Sequence, residues 1–274
     1  MRAQSNREPR GAKAAWAVIV SLGALAGAAT AAAQPAPVCV PPPPGMVAWW
    51  PGDGTPNDVI SVNNGTWHGT AAYAAGEVGQ AFSLDGSSWV EAPSTVGLSP
   101  TAAITIDAWI NTTRSNATSR IVDKITAGAG DGYLLDLLGG KLRLIVDGVS
   151  VTGATTLQPN VTYHVAGTYD GADLFVYVNG VVDGGPFATA VAIPTNALPV
   201  RIGTDSTTHA NMFSGWIDEV EIFDRGLSQT EIQAIVNAGS AGKCKPQPIP
   251  ASSALGLAVL ALLAAATAAL WLRR

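Results

Sequence analysis

Short strand-like runs recur along residues 46–223 with turn dipeptides between them, and this punctuation leaves few folds open. The runs lie at 46–50, 81–84, 89–92, 104–111, 120–124, 132–138, 141–147, 163–169, 174–179, 200–203 and 216–223. Asp147-Gly148 and Asn179-Gly180 are two-residue hairpin signals, and Asp170-Gly171 sits between two runs. Many short strands with such turns predict an all-β sandwich or barrel. One helix is expected after the last strand. Ser228-Gln-Thr-Glu231 is a capping box, EIQAIV supplies a short apolar stripe, and Gly239 ends it. It should lie on the outside of the sandwich, just before Cys244.

Both ends of the 274-residue chain read as address labels. Residues 1–33 combine a basic start, an apolar run and a small-residue exit at Ala31-Ala32-Ala33, which predicts a signal peptide. Residues 34–45 form a proline-rich, extended lead-in. Residues 244–253 read as a linker. Residues 254–272 are uncharged, long enough to span a bilayer, and followed by Arg273-Arg274. By the positive-inside tendency those arginines stay cytoplasmic and the domain lies outside.

The chain has 15 basic and 20 acidic residues, and six of the basic ones sit in the end segments. An acidic mature domain argues against a nucleic-acid partner and against docking on anionic lipid. Two cysteines, Cys39 and Cys244, bracket the domain. In an exported protein an even pair suggests a disulfide, with two free thiols as the alternative.

Six segments carry a family resemblance: MVAWWPGDG (46–54), GEVGQAFSLDG (76–86), ITIDAWI (104–110), TYHVAGTYDG (162–171), FVYVNG (175–180) and GWIDEVEIFDRGLS (215–228). In this order and spacing they resemble the LamG-like, concanavalin A-like jelly-roll domains over residues 46–243. The resemblance implies a sandwich of two antiparallel sheets. It says little of function, because sites are grafted onto folds. The tail from 246 onward resembles PEP-CTERM and IPTL-CTERM sorting segments, which implies an exosortase-like protease as partner. A plain membrane anchor is the alternative.

The segment 215–228 also raises a question of chemistry. Strict alternation puts Trp216, Asp218, Val220 and Ile222 on the core side, and Glu219 and Glu221 in solvent. A carboxylate at Asp218 then needs a partner. The resemblance implies calcium as a structural cofactor, held by Asp58, Asn63, the Gly65 carbonyl and Asp218, with Asp218 hydrogen-bonded to loop amides as the alternative. Glucanases of this fold carry E-x-D-x-x-E or E-x-D-x-E on one strand, but here Trp216 occupies the nucleophile position. No catalytic residue is assigned. His164, inside a strand-like run, reads as structural. Trp49 and Trp50 must point to opposite faces, which leaves room for one of them to be exposed.

The expected function is a non-catalytic, exported domain of the cell envelope that binds a glycan or extracellular-matrix ligand. A purely structural envelope protein and a glycoside hydrolase-related enzyme are the alternatives.

Overall fold

The computed structural model describes residues 38–126 and 129–246, and within them each run read from the sequence is a strand. The signal-peptide segment 1–33 and the apolar segment 254–272 lie outside the described residues. Among the described residues no helix is long and apolar enough to cross a membrane.

The first strands are β1 (Met46–Trp50), β2 (Thr66–His68), β3 (Tyr73–Ala75), β4 (Gln80–Asp85) and β5 (Trp89–Ala92). Next come β6 (Ile104–Thr112), β7 (Ser119–Lys124), β8 (Tyr133–Leu138), β9 (Lys141–Val146) and β10 (Val149–Thr156). The last are β11 (Tyr163–Tyr169), β12 (Asp173–Val178), β13 (Val181–Ala188), β14 (Val200–Ile202) and β15 (Ser214–Phe223), followed by α1 (Gln229–Ala238). They form two antiparallel sheets. One has eight strands in the order β13-β12-β11-β6-β15-β4-β3, with β1 also paired to β15; the other has seven, β10-β9-β8-β7-β14-β5-β2. This is the jelly-roll sandwich that the motifs imply.

Alternation builds the layers. In β6, Ile104, Ile106, Ala108 and Ile110 enter the core between the sheets, where they meet Leu135, Leu142 and Leu144 from the opposite sheet. The other face of the eight-stranded sheet is covered by α1. Its Ile232 and Ile235 pack with Ala166, Tyr177, Phe223 and Leu227 in a second apolar cluster. The capping box is formed: Ser228 accepts from the Glu231 amide, and the Glu231 carboxylate accepts from Ser228 N at 2.9 Å. Arg225 holds the same carboxylate through two N–H groups.

The two ends of the domain are stitched together. Cys39 and Cys244 are disulfide-bonded with Cα atoms 4.9 Å apart. Val40 N donates to Gly242 O at 3.0 Å, and Cys244 N donates to Val40 O at 2.8 Å. Lys243 and Cys244 thus form a strap on the body.

Two sequence expectations need correction. Glu219 adopts a φ of 53°, and the pairing of β15 with β6 slips between Asp218 and Glu221. This bulge resets the alternation. Ile217 joins Val220 and Ile222 in the core, whereas Trp216 is only half-buried. Glu219 and Glu221, expected in solvent, are 1% and 0% exposed. The strap and Trp49 cover them. Trp49 and Trp50 do face opposite ways, Trp50 into the core and Trp49 toward Glu219, but both are fully buried.

Candidate functional site

The outer face of the seven-stranded sheet carries ions where the outer face of its partner carries a helix. In β9, Leu142, Leu144 and Val146 point inward, so Lys141, Arg143 and Ile145 point outward. In β8, Tyr133, Leu135 and Leu137 fill the core while Leu134 and Asp136 face out. Register then aligns Arg120, Asp136 and Arg143 across β7, β8 and β9, and aligns Glu91, Arg201 and Asp123 across β5, β14 and β7.

The aligned groups bond to one another. Arg143 grips Asp136 with two parallel bonds, Nε to Oδ1 at 3.0 Å and Nη2 to Oδ2 at 2.7 Å. Arg120 donates to Asp136 from the other side, and its Nε lies 3.0 Å from Asp123. Arg201 Nε donates to Glu91 at 2.7 Å. Burial pushes the Asp123 carboxyl up to about 6, against the pull of its hydrogen bonds from Ser206 and the charge of Arg120.

Aromatic rings end the row. Trp89 is sandwiched between His68, at 4.9 Å and 3°, and His209, at 4.8 Å and 22°. The loop after β14 carries His209 there; Asp205 braces it by accepting from Thr207, Thr208 and Ala210. His209 is exposed, so a ring backed by an indole faces solvent. Trp89 Nε1 has no hydrogen-bond partner among the described residues. Beside Arg120 and Arg143 opens a pocket of about 350 Å³, lined also by Ile125, Leu134, Ile145 and Gly148.

None of these ionic residues was singled out in the sequence. The signal was there in KLRLIV and YLLDLL, whose alternation places Lys141, Arg143 and Asp136 at outward sites. What the sequence does not show is which strands are neighbours.

The carboxylates of β15 form a different kind of cluster, closed to any substrate. Lys243 Nζ lies 2.7 Å from Glu221 Oε1 and 3.6 Å from Glu219 Oε2. Trp49 Nε1 donates to Glu219 at 3.1 Å, and the Lys243 ammonium sits 5.5 Å from the Trp49 ring centre. Lys245 reaches both Glu219 and Asp53. His164 Nε2 lies 3.2 Å from Asp107 Oδ2 and its ring meets Trp109 edge to face. Burial raises the pKa of Glu219 and Glu221, and Lys243 only partly offsets this. Burial also works against the Lys243 charge, but Glu221, Glu219 and Asp107 outweigh it and raise its pKa.

Asp218 stands apart from that cluster. Its Oδ2 accepts from Val78 N at 2.9 Å, and its Oδ1 has no partner among the described residues. Burial pushes it up to about 8. The folded protein therefore keeps this proton to a higher pH than the unfolded chain does, so stability falls as pH rises from about 4 to about 8. Asp218→Asn keeps an acceptor for Val78 and deletes the buried charge. It should raise the melting temperature at pH 8, flatten the pH dependence, and change little at pH 4. A lower melting temperature at pH 8 would show the charge to be needed.

The residues assigned to calcium do not make an oxygen cage. Asp58 and Asn63 come together: Asp58 Oδ1 accepts from Trp49 N and Ile60 N, and Oδ2 from Asn63 N and Nδ2. Asn63 Oδ1 accepts from Thr95 Oγ1 at 2.7 Å. Gly65 N donates to Pro56 O within the same loop. The Asp58 and Asn63 side-chain oxygens thus accept from donors within and beside this loop, while Asp218 bonds to the Val78 amide and is not brought to them. Among the described residues no group of three His, Cys, Asp or Glu is placed to hold a metal.

A family model described as the concanavalin A-like lectin/glucanases superfamily matches residues 84–233. No curated protein matches the chain. Domain 4 of AbnA, a GH43 extracellular arabinanase from Geobacillus stearothermophilus in complex with arabinotriose, is 22% identical with a TM-score of 0.56. The match covers 69% of this chain and 96% of that one. The binding domain of Paraclostridial Mosquitocidal Protein 1 is 16% identical with a TM-score of 0.58, covering 71% of this chain and 52% of that one. A botulinum neurotoxin type C, whose cell entry depends on interaction with two ganglioside molecules, is 14% identical with a TM-score of 0.54, over 71% and 51% of the two chains. This chain thus spans about half the length of the toxin structures it matches. At these identities the likeness is one of fold.

Proposed function

The chain belongs to the concanavalin A-like lectin/glucanase superfamily, and from that premise we propose that it is a non-catalytic, exported domain that binds glycan on the outer face of its seven-stranded sheet. The observation that carries this reading is the composition of that face. Pre-paired guanidinium and carboxylate groups run beside apolar Leu134 and Ile145 and end at the Trp89 stack. Sugar rings present C–H faces to aromatic rings and hydroxyls to fixed donors and acceptors, so such a mixture suits them.

Two further points support it. The carboxylates that mimic a glucanase strand are sealed under Trp49 and Lys243, where no substrate reaches them. A disulfide between Cys39 and Cys244 suits an oxidising, extracytoplasmic setting. The arabinanase domain is described in complex with arabinotriose and one toxin binding domain in complex with SialylT, which favours a glycan ligand here without choosing its charge.

The full chain should bind glycans on an array, and intact cells should lose the domain to added protease. Trp89→Ala should weaken binding by about tenfold or more, roughly 1.4 kcal/mol. A folded protein that binds no glycan would favour the purely structural alternative.

A further inference from the structure

The domain's charges say which glycans the face accepts. Residues 38–246 hold nine Lys and Arg against nineteen Asp and Glu. On the candidate face Arg120 and Arg143 share Asp136, Arg120 also meets Asp123, and Arg201 is paired to Glu91, while Lys141 stands outside the pocket lining. Elsewhere Arg225, Lys243 and Lys245 are likewise paired, and Lys124 is folded onto the carbonyls of Asn196 and Leu198. Two more carboxylates stand near the 350 Å³ pocket. Asp147 lies against Gly130, its Oδ1 3.0 Å from where a side chain at that glycine would begin, beside Gly148. Asp131 accepts from Thr126 N and Oγ1.

We infer that the pocket between Arg120 and Arg143 is a subsite for an uncharged sugar, and that this domain rejects uronate- and sialate-bearing chains. A guanidinium has five N–H groups. Arg143 spends one Nε and one Nη2 bond on Asp136, which leaves other N–H groups at the pocket wall. Arg120 and Arg143 share Asp136, and Arg120 also meets Asp123, so two carboxylates balance the two guanidiniums and the donors carry no net positive charge. Asp147 adds an acceptor beside Gly148. A hydroxyl both donates and accepts, so it is served by both. A carboxylate meets no unpaired cation among the residues lining the pocket, and it must approach through the field of an acidic domain, where like-charge juxtaposition disfavours it. Leu134 and Ile145 supply the apolar patch for the ring, and the volume suits about one or two sugar units.

The inference rests on the glycan-binding reading, and one binding series separates the two. Full-length protein is titrated with arabinan, β-glucan and mannan as neutral probes, and with polygalacturonate and alginate as acidic ones. Binding to a neutral chain, insensitive to added salt, and at least about tenfold tighter than to either polyuronate is expected. Ile145→Ser removes a half-exposed apolar side chain without touching an ion pair and should cost about tenfold on the neutral probe. Arg143→Lys, checked for an unchanged melting temperature, should do the same. Tight polyuronate binding would overturn the inference and leave the glycan reading standing. Neutral binding untouched by both variants would overturn the pocket assignment. Failure to bind any probe would sink both.

Discussion

Lys243→Met should destabilise the protein by about 3–5 kcal/mol, read as a shift in denaturation midpoint at pH 7.5. The lysine is the cation that lies within 2.7 Å of Glu221 and 3.6 Å of Glu219, and all three side chains are 1% exposed or less. Removing one partner of a buried pair leaves an uncompensated charge, which costs far more than the pair itself contributes. Two companion results follow. Acidification should restore part of the loss, because Glu221 already has a raised pKa and takes up a proton readily. Lys243→Met combined with Glu221→Gln should be markedly milder than the single change, since it removes the orphaned anion. A single-variant loss below about 1 kcal/mol would mean that Lys245, which already reaches Glu219, swings in as a substitute.

Opening the Cys39–Cys244 disulfide should cost a comparable amount, about 5 kcal/mol on the chain-entropy account for a sequence separation of 205. Cys39→Ser with Cys244→Ser tests this without reducing agent. Thiol titration of the unreduced, denatured protein should find no free cysteine. The two losses should not add. Both act on the same strap, residues 243–245, so each change makes the other less damaging, and a double-mutant cycle should give a clear coupling energy. Strict additivity would show that strap and disulfide work independently.

Much of the sandwich was visible in the chain before any coordinates. Asp147-Gly148 and Asn179-Gly180 mark real hairpins, and the capping box at Ser228 starts the real helix. The unpredicted strands share a physical reason. β10 and β13 are sheet edges with mostly exposed residues, VSVTGATT and VVDGGPFA, so little hydrophobic patterning is required of them. β2 and β3 are three residues long and also lie at edges.

The candidate site was harder to read. Glu219 and Glu221 are buried by Trp49, far back in the sequence, and by Lys243, which lies past the helix, and no local pattern records such cover. The bulge at Glu219 breaks the alternation on which the face assignment depended. The ladder from Glu91 to Arg143 needs β14 inserted between β5 and β7, an order set by tertiary topology. Of the residues assigned to calcium, Asp58 and Asn63 do share a loop, but the backbone amides around them are the partners that sequence does not display.

The joined ends also decide how this domain meets a mechanical pull. The chain enters at Cys39 and leaves at Cys244, and their Cα atoms are 4.9 Å apart. Tension drawn between the preceding and following segments passes straight across that covalent crossing. The residues between form a closed ring that hangs from the line of force, so neither sheet is asked to shear or unzip. While the bond is intact the domain adds almost no length to a stretched chain. Once reduced, it becomes a reserve of unspooled polypeptide, with the Lys243 strap as the first latch to give way.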